Sequence, residues 1–237
     1  MPNPLFFSRI TLRESAPIST LRTLMRDGYA PHKTVWQLLS HSPEQKRNFL
    51  FRYDIEEKSG LPRFYVVSEQ KAHDTSGLWD IEPKPYLQPQ EPNKSLFAIG
   101  DTFRFSMRIN PTFDKSDCTK KQKTRYDLIM HLRYQMTKNE HGQREEPHAI
   151  TEHRACKEWL ERRQNLGFEV VQPNETLIVE QYDQLRFKHK DHTTIMSRVD
   201  MSGILKVIDV SKFQDNLTKG IGHGKAFGCG LLLIRRL

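Results

Sequence analysis

Two side chains able to move protons stand close together near the start of the chain, in Tyr29-Ala30-Pro31-His32. Histidine titrates nearest neutral pH, so His32 can take a proton from a hydroxyl or return one to a leaving oxygen. Pro31 suits the first turn of a helix, where its missing N–H is no loss. His32 would then lie beside unpaired backbone N–H groups and the positive end of the helix dipole, a place that also favours a phosphate. Tyr29, three residues earlier, can donate a hydrogen bond to a nonbridging phosphate oxygen or orient a reacting hydroxyl. Read singly, each residue has a plainer role. A histidine at a helix start is often a surface or cap residue, and a tyrosine is often a packed aromatic with a wet hydroxyl.

Metal chemistry has no sequence support. There is no H-E-x-x-H, no phosphate-binding P-loop and no C-x-x-C pair, so no metal or other cofactor is expected and catalysis should run on side chains. Cys118, Cys156 and Cys229 are far apart and odd in number, which fits a reduced cytoplasm better than a disulfide framework. No run of about 18 apolar residues is present to span a bilayer, and the amino terminus lacks a secretory signal pattern.

A second concentration of chemistry lies near the carboxy terminus. Five of the 12 glycines fall within 220–230, and Lys219, His223 and Lys225 accompany them. Such a loop could bring backbone N–H groups close to phosphates, with Gly222 and Gly224 giving access and the lysines adding charge. It could equally be a tight connection before a last strand. Neither the dinucleotide fingerprint nor a Walker loop fits, because Lys225 and Phe227 stand where the fingerprint needs glycine and Ala226 stands where Ser or Thr is needed.

The formal charge is +8, split as +1 over 1–92 (12 Lys and Arg against 11 Asp and Glu) and +7 over 93–237 (25 against 18). A basic excess confined to one half suggests a polyanion, since cations that neutralise phosphates release counterions. Three stretches could hold it: a polar loop with Lys115, Lys120, Lys121, Lys123 and Arg125; a helix with Arg154, Lys157, Arg162 and Arg163; and a hairpin tip with Arg186, Lys188, His189, Lys190 and His192. Helix side chains can track an A-form groove and a hairpin can wedge a stem. Each run could also be a solvated face, and the loop at Lys115 reads more readily that way.

These residues need elements to hold them. Strands are predicted at Leu5–Leu12, Phe49–Ile55 and 63–67, and a helix at 31–39, giving the order βαββ. The segment 83–92 carries four prolines and reads as a stiff connector, so the chain divides into 1–92 and 93–237. In the second part, Thr102–Ile109 alternates with period two up to Asn110-Pro111. A helix follows over 150–166, with Thr151 as a cap and Gly167 ending it. Strands at 168–171, 177–182, 193–199 and 204–210, a short helix at 212–217 and a strand at 231–234 complete it. The element order is that of an α+β protein with two tandem ferredoxin-like domains, like RNA-recognition motifs, although the first lacks a second helix.

The stretch Gly220-Ile221-Gly222-His223-Gly224-Lys225-Ala226-Phe227-Gly228-Cys229-Gly230-Leu231-Leu232 resembles the carboxy-terminal signature of CRISPR precursor-RNA endoribonucleases, in the form found in the CasE family of type I-E Cascade. Three further pieces agree and span nearly the whole chain in family order: Phe103-Arg104-Phe105-Ser106-Met107-Arg108-Ile109-Asn110-Pro111, Gly203-Ile204-Leu205-Lys206-Val207-Ile208-Asp209, and Tyr29-Ala30-Pro31-His32. Cys229 departs from the pattern, which has a bulky aromatic between the last two glycines. The resemblance implies two ferredoxin-like domains, binding of a CRISPR repeat RNA hairpin, cleavage at its 3′ base and retention of the product with the other Cascade subunits. It also implies a catalytic role for His32 and, with it, Tyr29. Metal-free cleavage would leave a 2′,3′-cyclic phosphate and a 5′-hydroxyl. Arg154, Lys157, Arg162, Arg186, Lys188, Lys190, Lys219, Gly222, His223, Gly224 and Lys225 are the candidate RNA contacts. A noncatalytic RNA-binding module with the same folds, or a protein whose basic half docks an acidic partner, would also fit the charge.

Overall fold

A computed structural model of the protein describes residues 5–39, 48–87, 95–116, 123–136, 146–189 and 192–237. The first part runs β1 (Leu5–Leu12), α1 (Ile18–Arg26), α2 (Ala30–Leu39), β2 (Phe49–Ile55), β3 (Pro62–Ser68) and β4 (Trp79–Tyr86). Its antiparallel sheet has the order β2-β3-β1-β4. That is the ferredoxin-like order with the second helix absent, since no helix lies between Ser68 and Trp79. Alternation sorts β2 cleanly: Phe49 and Phe51 enter the core under α1 and α2 with Ile10, Val35, Leu38 and Phe64. Leu50, Arg52 and Asp54 take the other face.

Two expectations for this part are corrected. Helix α1 was not foreseen. Nor does the proline segment begin the connector at residue 83, because Pro83 and Pro85 belong to β4 and pair with Ser8 and Phe6 of β1. As an edge strand β4 needs N–H groups only toward β1. Prolines two apart both face outward, where a missing donor costs nothing.

The second part runs β5 (Thr102–Ile109), β6 (Thr112–Ser116), β7 (Lys123–Asp127), α3 (Leu128–Gln135), α4 (His148–Glu161), β8 (Phe168–Val170), α5 (Pro173–Thr176), β9 (Ile178–His189), β10 (His192–Val207), α6 (Val210–Lys219) and β11 (Leu232–Arg236). The main sheet has the order β11-β5-β10-β8, the full ferredoxin-like arrangement, with β9 added on β10. Phe103, Phe105, Met107 and Ile109 point to a core closed by Trp159 of α4 and by Phe213 and Leu217 of α6. Here 193–199 and 204–207 form one strand, not two, and Val210 opens α6. The stretch foreseen as a polar loop contains the β6–β7 hairpin. Thr151 is not a cap: it sits inside α4 and Pro147 precedes the helix, while the chain leaves the helix at Arg162, ahead of Gly167.

The two sheets turn their remaining faces to each other. On one side Leu50 and Val67 bury against Leu231, with Phe7, Tyr65, Tyr86 and Leu233 around them. On the other, Arg108 of β5 grips Asp200 of β10 through two hydrogen bonds of 2.6 Å and reaches across to the Tyr53 carbonyl at 2.6 Å and to Asp54 at 3.2 Å. Arg52 crosses the other way, donating to Ser106 Oγ at 2.6 Å. Fork-shaped guanidinium pairs of this kind fix orientation as well as distance.

Candidate active site at the seam of the two sheets

Asp27 ends α1 and starts the corner that presents Tyr29. Its backbone carbonyl accepts from the Ala30 N–H at 2.9 Å, and its carboxylate accepts from the Tyr29 N–H at 2.9 Å. Gly28 is closely packed, and no positive dihedral angle demands it. A Cβ there would lie 2.6 Å from Leu185 Cδ1 of β9, so the β9–β10 hairpin presses directly on the corner. Helix α2 then opens with Ala30, Pro31 and His32, as the sequence suggests.

The Tyr29 and His32 ring centroids are 5.0 Å apart. His32 stacks on Phe49 at 5.7 Å and lies near Trp36 at 6.1 Å and Phe51 at 6.2 Å, an aromatic wall that holds the imidazole in place. It is only 9% exposed, whereas Tyr29 is 37% exposed and meets Phe227 of the glycine-rich segment at 6.0 Å. Lys33 stands 5.5 Å over the Tyr29 ring and 3.7 Å from Asp27. The second part of the chain thus reaches the first at the predicted pair.

The glycine-rich segment lies along the free edge of β2. A short 3-10 turn at Lys225–Phe227 contacts both α2 and β2. The glycines meet packing demands: at Gly222, φ is +77° and a Cβ would stand 2.8 Å from Trp159 Cζ2. Gly224, also at positive φ, abuts Asn110, Cys229 and Met196. The tight-connection role therefore has a direct physical basis, and any approach to phosphate comes in addition. Cys229 is fully buried, and burial pushes its thiol up to about 12, although Arg108 and Arg198 pull the other way. The slot beneath the loop is filled by sulfur rather than by an aromatic ring.

Several of the predicted basic residues have local partners. Arg154 pairs with Glu146 at 3.2 Å, Lys157 donates to Asn174 at 2.9 Å, and Lys219 pairs with Asp215 at 2.7 Å. Arg162 pairs with Glu158 and lies 4.9 Å over the Phe113 ring. Lys225 donates to the Lys219 carbonyl at 2.6 Å. Arg186 is exposed on β9. Lys188 is part of β9, opposite Thr193, and Lys190 lies outside the described residues.

His223 and Arg163 meet at a cavity beside the loop. His223 is held below the usual histidine range by burial, then by Arg125, Arg163 and Lys225, with Asp114 opposing. Sequence reading missed Asp27, Gly28 and the Leu185 contact. The Asp27-Gly28 pair is a turn signal that could have marked the corner.

Residues 5–236 match a protein-family model described as CRISPR associated protein. The chain belongs to that family. No curated protein matches it in sequence. Among solved structures, this family member is similar to the CRISPR endoribonuclease Cse3 bound to a 19-nucleotide RNA, at 21% identity and a TM-score of 0.70, over 98% of this chain and 99% of that one. A structure of Thermus thermophilus Cse3 bound to an RNA representing a pre-cleavage complex gives 21% and 0.69, over 98% and 99%. Cas6e from Escherichia coli K-12 gives 20% and 0.63, over 98% and 100%. These likenesses establish the fold of two ferredoxin-like domains. Among the described residues no helix is long and apolar enough to cross a membrane.

Proposed function

We propose that the chain is a cytoplasmic, metal-independent endoribonuclease that binds the CRISPR repeat stem-loop, cuts precursor RNA at the 3′ base of the hairpin and stays with the product among Cascade subunits. The division at residues 92 and 93 separates a catalytic part from an RNA-holding part. The observation that carries the reading is the Tyr29–His32 pair, with rings 5.0 Å apart at the corner where the glycine-rich turn of the other sheet arrives. Family membership and a fold shared with RNA-bound Cse3 support it. A chain in a surveillance complex with the same fold, at 17% identity and a TM-score of 0.57, supports the Cascade assignment.

In this reading the 2′-hydroxyl attacks the adjacent phosphorus, the bond to the 5′-oxygen breaks, and the products are a 2′,3′-cyclic phosphate and a 5′-hydroxyl. His32 Nδ1 is buried, so exchange of the proton with RNA falls to Nε2. Tyr29, on the exposed side of the pair, donates to a nonbridging oxygen or orients the 2′-hydroxyl. The test is incubation with repeat RNA in EDTA followed by end-group analysis. Cleavage with cyclic phosphate ends is expected, and a requirement for a divalent ion or 5′-phosphate products would refute the reading. One observation favours the noncatalytic RNA-binding alternative: His32 is only 9% exposed. That alternative predicts hairpin binding with no cleavage.

A further inference from the structure

Beside the glycine-rich segment, a cavity of about 490 Å³ is lined by Phe113 and Asp114 of β6, Arg162 and Arg163 after α4, and Gly222 and His223. Its volume falls within the ~300–1,000 Å³ typical of small-ligand sites. Arg163 is the decisive group. Its guanidinium lies 3.4 Å over the Trp159 ring and is tethered by Nη1 donating to the Trp159 carbonyl at 2.6 Å. The other terminal nitrogen faces Gly222, 3.7 Å from where a Cβ would stand.

Arg163 makes no ion pair among the described residues, whereas its neighbours do. Arg162 is matched by Glu158, and Asp114, the one carboxylate lining the cavity among the described residues, is matched by Arg125 at 3.2 Å. A half-buried guanidinium without a counter-anion is a costly arrangement that a phosphate relieves. His223, neutral at ordinary pH, still offers one ring N–H. The flat pair formed by Phe113 and the Arg162 guanidinium, 4.9 Å from the ring, suits a base face.

We infer that this cavity holds one unpaired nucleotide of the RNA, with its phosphate on Arg163 and His223 and its base against Phe113 and Arg162. The inference rests on the nuclease reading and adds a site outside the Tyr29–His32 corner. His223 and Phe227, which meets Tyr29, are four residues apart, so their backbones lie at most about 14 Å apart. A strand leaving the scissile position can pass over the loop into the cavity.

The site is tested with three RNAs: a repeat hairpin alone, the same hairpin with a short 5′ oligouridine tail, and with a short 3′ tail. Affinities are measured in a His32→Ala background, with wild-type cleavage of the same RNAs alongside. One of the two tails should tighten binding. Arg163→Gln, His223→Asn and Phe113→Leu should each remove most of that gain, roughly 5- to 100-fold for a stacked base with its phosphate, while affinity for the bare hairpin stays within a few-fold in Arg163→Gln and Phe113→Leu. Thermal unfolding identifies any variant that fails to fold, and the remaining two then carry the test. An undiminished tail gain in folded variants, or no gain from either tail while wild-type cleavage proceeds, would overturn the cavity assignment alone. Absence of both cleavage and hairpin affinity would overturn the nuclease reading together with it.

Discussion

Tyr29 and His32 play unequal parts. His32 is packed on Phe49 and is held by aromatic rings on several sides, while Tyr29 is exposed and owes its position to the Asp27 carboxylate and to Leu185. Tyr29→Phe should therefore slow cleavage while leaving hairpin affinity within a few-fold, because it removes one hydroxyl and keeps the ring packing with His32 and Phe227. Asp27→Ala should also lower kcat without weakening the hairpin, by loosening the corner. Single-turnover cleavage beside equilibrium binding checks both, and a slowdown for Tyr29→Phe greater than that for a His32 variant would reverse the assigned roles. The closeness of the two rings was legible because both residues lie at one helix start, whereas the role proposed for them came from the family resemblance and not from residue type or spacing. The aromatic wall and the pressure from Leu185 were not legible, since they join residues up to 157 positions apart in sequence.

Cys229 gives a second residue-scale prediction. Burial raises the thiol to about 12, so at pH 8 almost none is thiolate, the form that reacts. Alkylation of the native protein followed by peptide mapping should leave the Cys229 peptide unmodified until denaturant is added. Modification under native conditions would show that the loop opens.

Elements follow the apolar period closely where one face is buried. Strands β1, β2 and β5 were readable at their full length, because alternation survives wherever a sheet has a core side and an outer side. Prediction failed where chemistry masked position. The prolines of β4 resemble a linker unless an edge strand is considered, and β10 looks broken at Gly203, which lies against Phe105 and the Thr176 carbonyl. The contact between β2 and β5 was also invisible, since nothing local marks Arg108 as a bridge. Removing it would leave Asp54 and Asp200, both largely shielded, to Arg52 alone, at 2.8 and 3.6 Å, so Arg108→Ala should cost about 1.5–3 kcal/mol, the worth of a hydrogen bond to a charged group. Urea unfolding measures it. A loss below about 1 kcal/mol would mean that the bridge is solvated, as exposed pairs are.

At the scale of the whole molecule, the basic excess foreseen from sequence is largely engaged in local pairs among the described residues. Arg154, Lys157, Arg162 and Lys219 are each partnered at the surface, so their value lies in trading neighbours for phosphates. Charge reversal at Arg154 and Lys157 should weaken hairpin binding and lower the logarithmic salt slope by roughly 0.7–0.9 for each phosphate that is no longer neutralised. An unchanged slope, measured by titration at several salt concentrations, would place the RNA elsewhere. The ferredoxin-like order of the second half could be read from element order, and that of the first only as far as βαββ, but their face-to-face docking could not, because it depends on which side of β2 and β5 is left uncovered.

The central claim is that His32 moves the proton while the rest of the molecule holds the hairpin. Since His32 is stacked among aromatics, the direct measurement compares His32→Ala with His32→Gln, which retains more volume, in cleavage and hairpin affinity in EDTA, with unfolding temperature as the control for packing. Both variants are predicted to lose cleavage by about 100- to 10,000-fold, the usual worth of general acid–base catalysis, with affinity within a few-fold of the parent. Near-normal cleavage by either folded variant would contradict the account.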